Sequence, residues 1–447
     1  GNSVPEAVAC LLLTAIATTV VFAEDLVTLA IGWTGLAACS LVAFLTLAQE
    51  PSGQKLAGGV SSFAVLRLAV DLLSSMLVLA AALYAIGNGS LEIFNEQEMP
   101  SQSVLCLFLG AVLRLNLYLF PNAMRLDSVV PHQIRTILRL VSIATAVDVL
   151  AVIAQQGVTL PYQGLLSAAV LSAGLVSAWL WWTSPIPRHG LMYLFLAQSS
   201  LIALTALLGG EWSIAGVVSQ GIALLLGGCV LFLYSGFVKH QKVWIVAPFL
   251  AVAMIVGLPL TTGYLGMWAL HAALPQTGWW VASYVTVLLV RSLLVAGSIR
   301  WALYPGDSLP VGEPFAVTMQ LLGFGIPLIL CGLIGVMPGV LVGLVSSGSY
   351  LEFNQMLQST HGLSSLGGVV VACLLGAVLW RLTDAHGVQF STLGSASVLL
   401  LDGFYGGLRV IFRFTVRILQ VAGTILEGQG GVLWALVAAF IVWLTLG

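Results

Sequence analysis

A few charged side chains of this sequence lie inside or beside long apolar segments, where an ionisable group is costly to keep. Only 7% of the residues are charged, and a charge at the centre of a bilayer costs about 2.5–3.5 kcal/mol on insertion scales. Each of these groups therefore needs a partner, a hydrated pocket or a task. Aspartate can carry a proton, whereas arginine, with a pKa above about 12, can hold an anion or a carboxylate but not release a proton. The candidates for a proton path or a charge network are Arg67, Asp71, Arg114, Arg135, Arg139, Asp148 and Arg188.

Composition predicts the class of protein. The sequence is 59% hydrophobic, and its uncharged runs exceed the roughly 20 residues that a helix needs to cross a bilayer. We predict an all-α polytopic membrane protein, because a transmembrane β-barrel would show short alternating segments. The six cysteines stand singly in apolar segments, which indicates small buried side chains without a disulfide or metal site. The sequence has no CxxC motif, haem-type histidine pair, phosphate loop or nucleic-acid patch, so we expect no cofactor, no metal and no nucleic-acid partner.

The apolar runs predict about thirteen transmembrane spans. An amphipathic stretch, 396–427, separates the last two of them. The predicted spans are 5–22, 27–48, 61–87, 102–121, 133–155, 162–183, 190–209, 213–238, 243–270, 277–303, 316–346, 364–382 and 431–446.

Lysine and arginine in the short loops predict the topology, because these residues favour the cytoplasmic side. The loops after spans 1, 3, 5, 7, 9 and 11 carry none, and several carry acids, such as Glu24 and Asp25. We therefore expect the N-terminus inside and the C-terminus outside. Residues 1–23 lack the basic start and the cleavage site of a signal peptide, so we expect them to stay as a permanent helix. The loops after spans 2, 4, 6 and 8 carry Lys55, Arg125, Arg188, Lys239 and Lys242.

The first ten spans divide into two units of five, residues 5–155 and 162–303. Because five is odd, a second unit that repeats the first enters the membrane in the opposite direction. The fourth span of each unit is interrupted, and breaks at matching positions of inverted halves point to a transport path; the alternative is two proline kinks without a function. The predicted organisation continues with two further spans within 316–382, the stretch 396–427 and an anchor helix at 431–446. The broken-helix positions are Pro121 and Asn122 in the first unit, and Pro259, Gly263 and Met267 in the second.

Four motifs, in order along the chain, carry a resemblance to a known family. The segment from Ile31 to Gly35, IGWTG, resembles GWEG, and GAVLR…FPNAM resembles GAxxK…LPDAM. The residues Pro187, Arg188 and His189, followed by LMYLFLAQSS, resemble DIKK followed by LAYSTISQ, and GLPLTTGYLGMW resembles GIPPFSGFFSKD. These motifs are typical of the antiporter-like proton-translocating subunits of respiratory complex I and of multisubunit sodium/proton antiporters. The resemblance implies two inverted five-helix units, each with a broken fourth helix, in an energy-transducing membrane.

The order of elements after span 11 resembles the largest subunit of that family, whose lateral helix runs along the membrane surface. Arg409, Arg413 and Arg417 recur every four residues within 396–427 and form one stripe on an otherwise apolar helix. This stripe suits either lipid phosphates or a neighbouring subunit. The resemblance therefore implies other membrane subunits as partners, besides the lipid bilayer and protons or small ions. The three leading helices common in the family are expected to be absent.

The sequence departs from the family where its titratable groups are expected. Thr34 stands at the family's glutamate, and Arg114 at the lysine of the first broken helix. Met267 stands at the lysine of the second broken helix, and Gly228 at a further lysine. Spans 213–238 and 243–270 contain no ionisable residue apart from cysteine and tyrosine, so charge-gated proton transfer is not expected in the second unit.

The remaining charges lie in the first unit. Arg67 and Asp71 are four residues apart on one helix and can pair, while Arg139 and Asp148 share the fifth span. These groups form static ion pairs, the remnant of a proton half-channel, or an anion site around Arg114, Arg139 and Arg67. A lone Arg291 on span 10 is expected to snorkel or to bind a backbone carbonyl.

Three functions fit this sequence. The first is a divergent antiporter-like subunit of a multisubunit membrane complex, with protons crossing at most through the first unit and a non-conducting second unit. The second is a purely structural subunit that keeps the fold. The third is a stand-alone secondary transporter of a small anion, with Arg114 as the counter-charge.

Overall fold

The computed structural model describes residues 3–47, 57–87, 99–115, 132–157, 160–184, 187–235, 246–274, 278–303, 314–345 and 353–385. Within these ranges the secondary structure is helical and contains no strand. The helices are α1 Ser3–Val21, α2 Leu26–Leu47, α3 Ala57–Ile86, α4 Ser101–Arg114, α5 His132–Gln156, α6 Gln163–Thr183, α7 Pro187–Leu208, α8 Ser213–Ser235, α9 Val246–Val256, α10 Thr262–Ala273, α11 Trp280–Leu303, α12 Pro314–Val336, α13 Pro338–Val345, α14 Phe353–Gln358 and α15 Thr360–Ala385.

Eight of the described helices are long and apolar enough to cross a membrane, or up to nine if one bent pair counts as a span. The apolar helices α4 and α9, and the Ala7–Val21 part of α1, are shorter. The prediction of an all-α polytopic membrane protein is confirmed, while the count of about thirteen spans stays a prediction. The stretch 396–427, the anchor helix 431–446 and the break at Pro121 and Asn122 lie outside the described residues.

Helix packing follows the same order in two parts of the chain. In the first part α1 to α5 pack sequentially, and α1 also contacts α5. In the second part α6, α7 and α8 pack sequentially, α8 contacts both α9 and α10, and α11 contacts α6. The fifth helix therefore packs back on the first in both groups, if α9 and α10 count as one broken helix. The helix α5 joins the groups through α7 and α8, and the inversion of one relative to the other stays a prediction.

The break between α9 and α10 results from local sequence. Gly257 adopts φ +79°, a left-handed conformation that costs glycine little. From there the N–H groups of Gly257 and Leu258 turn back to carbonyls in the last turn of α9, which forms a Schellman motif. Pro259 follows and cannot continue the helix. Gly263 then packs against the carbonyl oxygen of Met254, where any Cβ would overlap. The interruption predicted at Pro259 and Gly263 thus coincides with the end of α9 and the start of α10.

The predicted span 316–346 is not one straight helix. Residues Leu321–Val336 of α12 and Pro338–Val345 of α13 meet at 85°. Proline is well placed at the first position of a helix, because its missing N–H has no intrahelical partner there. Pro338 therefore starts α13 in a new direction. The eight residues of α13 extend about 12 Å at 1.5 Å per residue, too short to cross a bilayer.

The start of α2 is fixed by Asp25. Its carboxylate accepts hydrogen bonds from the Thr28 hydroxyl at 2.5 Å and the Thr28 backbone N–H at 2.7 Å. This is the arrangement of a helix N-cap. The same two hydrogen bonds, that of the hydroxyl first, hold the pKa of Asp25 below its usual value.

Replacing Asp25 with alanine should lower the apparent melting temperature of the purified protein in detergent. The loss of the cap is expected to cost about 1 kcal/mol at neutral pH. Because the pKa of Asp25 is depressed in the folded protein, this stabilisation is present above the unfolded-state pKa and is lost as the pH falls through the folded-state pKa. Glu24→Ala is the matched control, since Glu24 makes no hydrogen bond within the described residues. Equal melting temperatures for the two variants at neutral pH would contradict the capping role.

Candidate functional site

Arg114 lies at the end of α4 and is buried, with 2% of its surface exposed. Its Nε donates to Thr145 Oγ1 at 3.3 Å, and its Nη1 donates to the Trp33 carbonyl at 3.5 Å. The guanidinium carbon lies 4.7 Å from the centroid of the Trp33 ring, within the range of a cation–π interaction. Side chains and backbone of α2 and α5 therefore take the place of water around this cation.

Close approach of α4 to its neighbours brings Trp33 to Arg114. A Cβ at Gly110 would lie 3.2 Å from the Ser74 carbonyl oxygen and 3.6 Å from the Trp33 ring, so glycine leaves the space that these neighbours occupy. Thr34, at the position of the family's glutamate, lies on the exposed face of α2. Its hydroxyl donates to the Ala30 carbonyl at 2.8 Å. The residue of this motif that faces Arg114 is therefore Trp33 and not Thr34.

A second group of charges joins α3 and α5. The Nε of Arg67 lies 3.8 Å from Asp71 Oδ2, so these two residues pair as their spacing predicts. Arg67 is also close enough for its charge to act on Arg139. The guanidinium of Arg139 lies 5.5 Å from the ring centroid of Phe232, which connects α5 with α8. The structure therefore brings Arg67 and Asp71 together, with Arg139 within the range of the Arg67 charge, whereas the side chains of Arg135 and Arg188 lie outside the described ones.

Asp148 differs from Asp71 in its surroundings. It is half-buried on α5 and makes no hydrogen bond or ion pair with any described residue. It borders a cavity of about 10 Å³, close to the smallest space that holds one water molecule. The other residues of the cavity wall are apolar: Ala23, Leu26, Leu29, Leu107, Val149 and Val152.

Met267, a predicted broken-helix position, is buried. It lies on α10 with no exposed surface. At the preceding residue of α10, the Gly266 carbonyl accepts a hydrogen bond from Gln220 of α8 at 2.8 Å, and Gln220 also donates to Thr205 Oγ1 at 3.1 Å. A Cβ at Gly266 would overlap with the Gln220 side chain. The position to which the sequence resemblance assigns a lysine therefore holds a buried apolar side chain, and the Gln220 side chain binds the backbone of the residue before it.

Arg291 is a buried cation on α11, with 1% of its surface exposed. Its Nη2 donates to the Val256 carbonyl at 2.6 Å and to the Gly257 carbonyl at 3.3 Å. Both carbonyls lie at the end of α9, where helix geometry leaves them without intrahelical partners. Of the two alternatives drawn from the sequence, the structure shows the backbone-carbonyl contact and excludes snorkelling.

His271 is a residue that sequence reasoning missed. It lies one turn after Met267 on α10 and is 5% exposed, and its ring centroid is 5.2 Å from that of Tyr284. Its Nδ1 has no hydrogen-bond partner among the described residues. The predicted span ended at residue 270, so a search one turn beyond the predicted boundary would have found it. Groups of three or more potential metal ligands do not occur in the described ranges.

Fold and site together define a class: an all-α polytopic membrane protein with buried arginines at a helix end and at a helix break. No protein-family model matches the sequence, and no curated protein matches it. Solved structures do match. A chain of the Mrp complex from Dietzia sp. DQ12-45-1b has a TM-score of 0.66 at 18% identity, covering 96% of this chain and 51% of that chain.

A chain of the membrane-bound sulfane sulfur reductase, an archaeal respiratory membrane complex, has a TM-score of 0.53 at 16% identity. The match covers 82% of this chain and 76% of the reductase chain. Identities this low establish the fold alone, and this chain spans about half the length of the Mrp-complex chain. At the level of the fold, the resemblance to an antiporter-like subunit predicted from the sequence is confirmed.

The environment of Arg114 yields a test with a matched pair of threonines. Thr145→Val should lower the melting temperature, because losing an acceptor of a charged, buried donor costs about 1–3 kcal/mol. Thr34→Val removes a hydroxyl that only bonds its own helix on an exposed face, so its expected effect is below about 0.5 kcal/mol. Both variants keep the shape of the side chain. The melting temperatures of the two variants are compared by thermal unfolding, with tryptophan fluorescence as the signal. An equal or larger decrease for Thr34→Val would refute the role of Thr145.

Proposed function

We propose that this chain is an antiporter-like membrane subunit of a multisubunit complex, in which protons cross through the first unit and not through the second. The observation that carries the proposal is Asp148, a half-buried carboxylate beside a water-sized cavity and without a described protein partner. A carboxylate in this setting can accept and release a proton without breaking an ion pair. The fold, shared with chains of the Mrp complex and of a respiratory membrane complex, supports the assignment to a complex.

The first unit offers three positions along one route. Arg67, Asp71 and Arg139 form one group, Arg114 with Thr145 forms the next, and Asp148 lies furthest along α5. Arg139 and Asp148 are nine residues apart, which is about 13 Å along a helix, so water must connect the positions. The two aspartates carry the proton. The arginines stay charged and set the potential along the route.

The second unit lacks comparable groups. Helices α6 to α11 contain no aspartate, glutamate or lysine, and Met267 is buried where a carrier would be needed. A proton on His271 would place a second positive charge close to Arg291, which like-charge repulsion opposes. For these reasons we assign no proton path to α8 and α10.

The setting of the subunit belongs to the same proposal. Other membrane subunits contact it partly through 396–427, in a bacterial plasma or mitochondrial inner membrane, with the N-terminus inside and the C-terminus outside. The loop charges support this orientation. The side of the C-terminus depends on α12 and α13 crossing as one bent span, because a re-entrant pair would reverse every later span.

A purely structural subunit is the second candidate, and the contacts of Arg114 favour it. This cation already has a hydroxyl, a carbonyl and an aromatic ring as neighbours, and Arg67 is paired with Asp71. Charges held in this way fix helix packing without any transport. The two candidates differ in what the aspartates do.

Asp148→Asn and Asp71→Asn test the proposal by proton flux in proteoliposomes that contain the purified complex. Asparagine keeps the size and polarity of the side chain but cannot carry the proton, so flux should fall at least about tenfold for Asp148→Asn. The fall for Asp71→Asn should be similar, because a relay fails at any missing position. Flux is measured with a pH-sensitive dye after a potassium-diffusion potential is imposed.

Glu211→Gln is the control, because Glu211 is exposed in the loop between α7 and α8. Subunit composition after gel filtration shows whether each variant still assembles. Normal assembly with unchanged flux in the Asp71→Asn and Asp148→Asn double variant would eliminate the proton route and leave the structural subunit.

A further inference from the structure

The second unit carries a buried positive charge without a carboxylate to balance it. Helices α6 to α14 contain no aspartate or glutamate, and in α15 the only acid is Asp384, in the last turn. Arg291 is central in α11 and 1% exposed. The first unit differs, because Asp71 and Asp148 accompany its arginines. Burying an ion without a counter-charge is costly in an apolar interior.

The hydrogen bonds of Arg291 use only one of its three nitrogens. Nη2 donates to the carbonyls of Val256 and Gly257, and the C-terminal end of the α9 dipole offsets part of the charge. Nε and Nη1 are buried and have no hydrogen-bond partner within the described residues. Three N–H bonds of the guanidinium are therefore left for another acceptor.

Two other buried polar groups lack a hydrogen-bond partner within the described residues: His271 Nδ1 and the hydroxyl of Ser365 on α15. The His271 ring lies 5.2 Å from that of Tyr284, which is on the same helix as Arg291. The charge of Arg291 also acts on His271 and Tyr264, and Ser365 lies beside the phenol of Tyr264. We call Tyr264, His271, Tyr284, Arg291 and Ser365 the Arg291 cluster.

Gly368 allows α15 to close over this cluster. A Cβ at this position would lie 3.2 Å from both His271 Cε1 and the Tyr284 hydroxyl oxygen. That hydroxyl donates to the Ser364 carbonyl at 3.4 Å, and the Tyr264 hydroxyl donates to the Gly362 carbonyl at 3.2 Å. The cluster thus lies between α10, α11 and α15, and its His271 and Arg291 side chains are 5% and 1% exposed, so only a small occupant suits it.

We propose that the Arg291 cluster binds one small inorganic anion of the size of chloride, with Arg291 Nε and Nη1 as its principal donors. An anion balances the buried charge and accepts the hydrogen bonds that the protein leaves unmade, whereas a proton would add to the charge. Ser365 and His271 can supply further donors. The bound anion would be a resident counter-ion of the second unit, independent of whether the first unit carries protons.

Equilibrium binding of radioactive chloride tests this inference. The full chain, purified in detergent with whatever subunits accompany it, is equilibrated with chloride in a gluconate buffer, and free and bound label are separated. We expect saturable binding of one chloride per chain, which bromide displaces and gluconate does not. Arg291→Gln should weaken the affinity at least about tenfold, the value of one or more charged hydrogen bonds.

Arg300→Gln is the matched control. Arg300 is also on α11 and donates to a backbone carbonyl, that of Trp182, at 2.6 Å, but it lies outside the Arg291 cluster. It should leave chloride affinity unchanged. Because Arg291→Gln also removes hydrogen bonds at the end of α9, tryptophan fluorescence must show that it folds.

Two milder variants keep the test decisive if Arg291→Gln does not fold. Ser365→Ala and His271→Phe leave Arg291 in place and should each weaken chloride binding by about two- to tenfold. Absence of saturable binding in the wild-type protein would overturn the inference, and so would wild-type affinity in both of these variants. Proton flux is not part of this measurement, so a negative result for chloride binding would leave the proposed function untouched.

Discussion

An arginine in an apolar interior needs protein acceptors in place of water, and this constraint governs both halves of the molecule. Arg114 obtains a hydroxyl and a carbonyl from α5 and α2. Arg291 obtains the last carbonyls of α9, which are available only because the helix ends there. The break between α9 and α10 therefore does more than interrupt a span. It supplies the acceptors that allow a cation to be buried on the neighbouring helix α11.

The two halves differ in the negative groups that accompany their buried arginines. In the first, Asp71 pairs with Arg67 and Asp148 borders a small cavity, so protons can be gained and lost near fixed positive charges. In the second, the helix dipole of α9 is the main negative partner of Arg291 that the described residues provide. A partial charge of this kind cannot titrate. We therefore propose proton transfer for the half that has carboxylates on its helices, and anion binding for the half whose helices α6 to α11 have none.

Sequence reasoning succeeded where one residue type dictates the backbone. Continuous apolar runs predicted the helices, and Pro259 with Gly263 predicted an interruption near the end of α9, since proline cannot continue a helix. The structure adds Gly257 to these positions, because glycine tolerates its φ of +79°. Pro338 is equally visible in the sequence, yet whether a proline bends a helix or starts a new one depends on packing. For this reason the bend of 85° between α12 and α13 within 316–346 was not expected, and the crossing of the membrane by this segment as one span stays a prediction.

The orientation of side chains was harder to predict. Thr34 and Trp33 are neighbours, but successive residues on a helix point about 100° apart, so Trp33 faces Arg114 and Thr34 is exposed. A motif comparison identifies the position and not the direction of its side chain. The acceptors of Arg291 were likewise hidden, because Val256 lies 35 residues away along the chain and contributes only its backbone.

The break between α9 and α10 is fixed by contacts with α8, α11 and α12, and these contacts limit its movement. The Thr262 hydroxyl donates to the Cys331 carbonyl of α12 at 2.8 Å, and Gly335 packs directly against the Leu260 carbonyl. Gln220 holds α10 from α8, and Arg291 holds α9 from α11. Moving α9 relative to α10 would break contacts with three other helices together. A break fixed in this way suits a permanent charge and its counter-ion better than a gate, whereas Asp148, beside a water-sized cavity, can change its protonation without moving a helix.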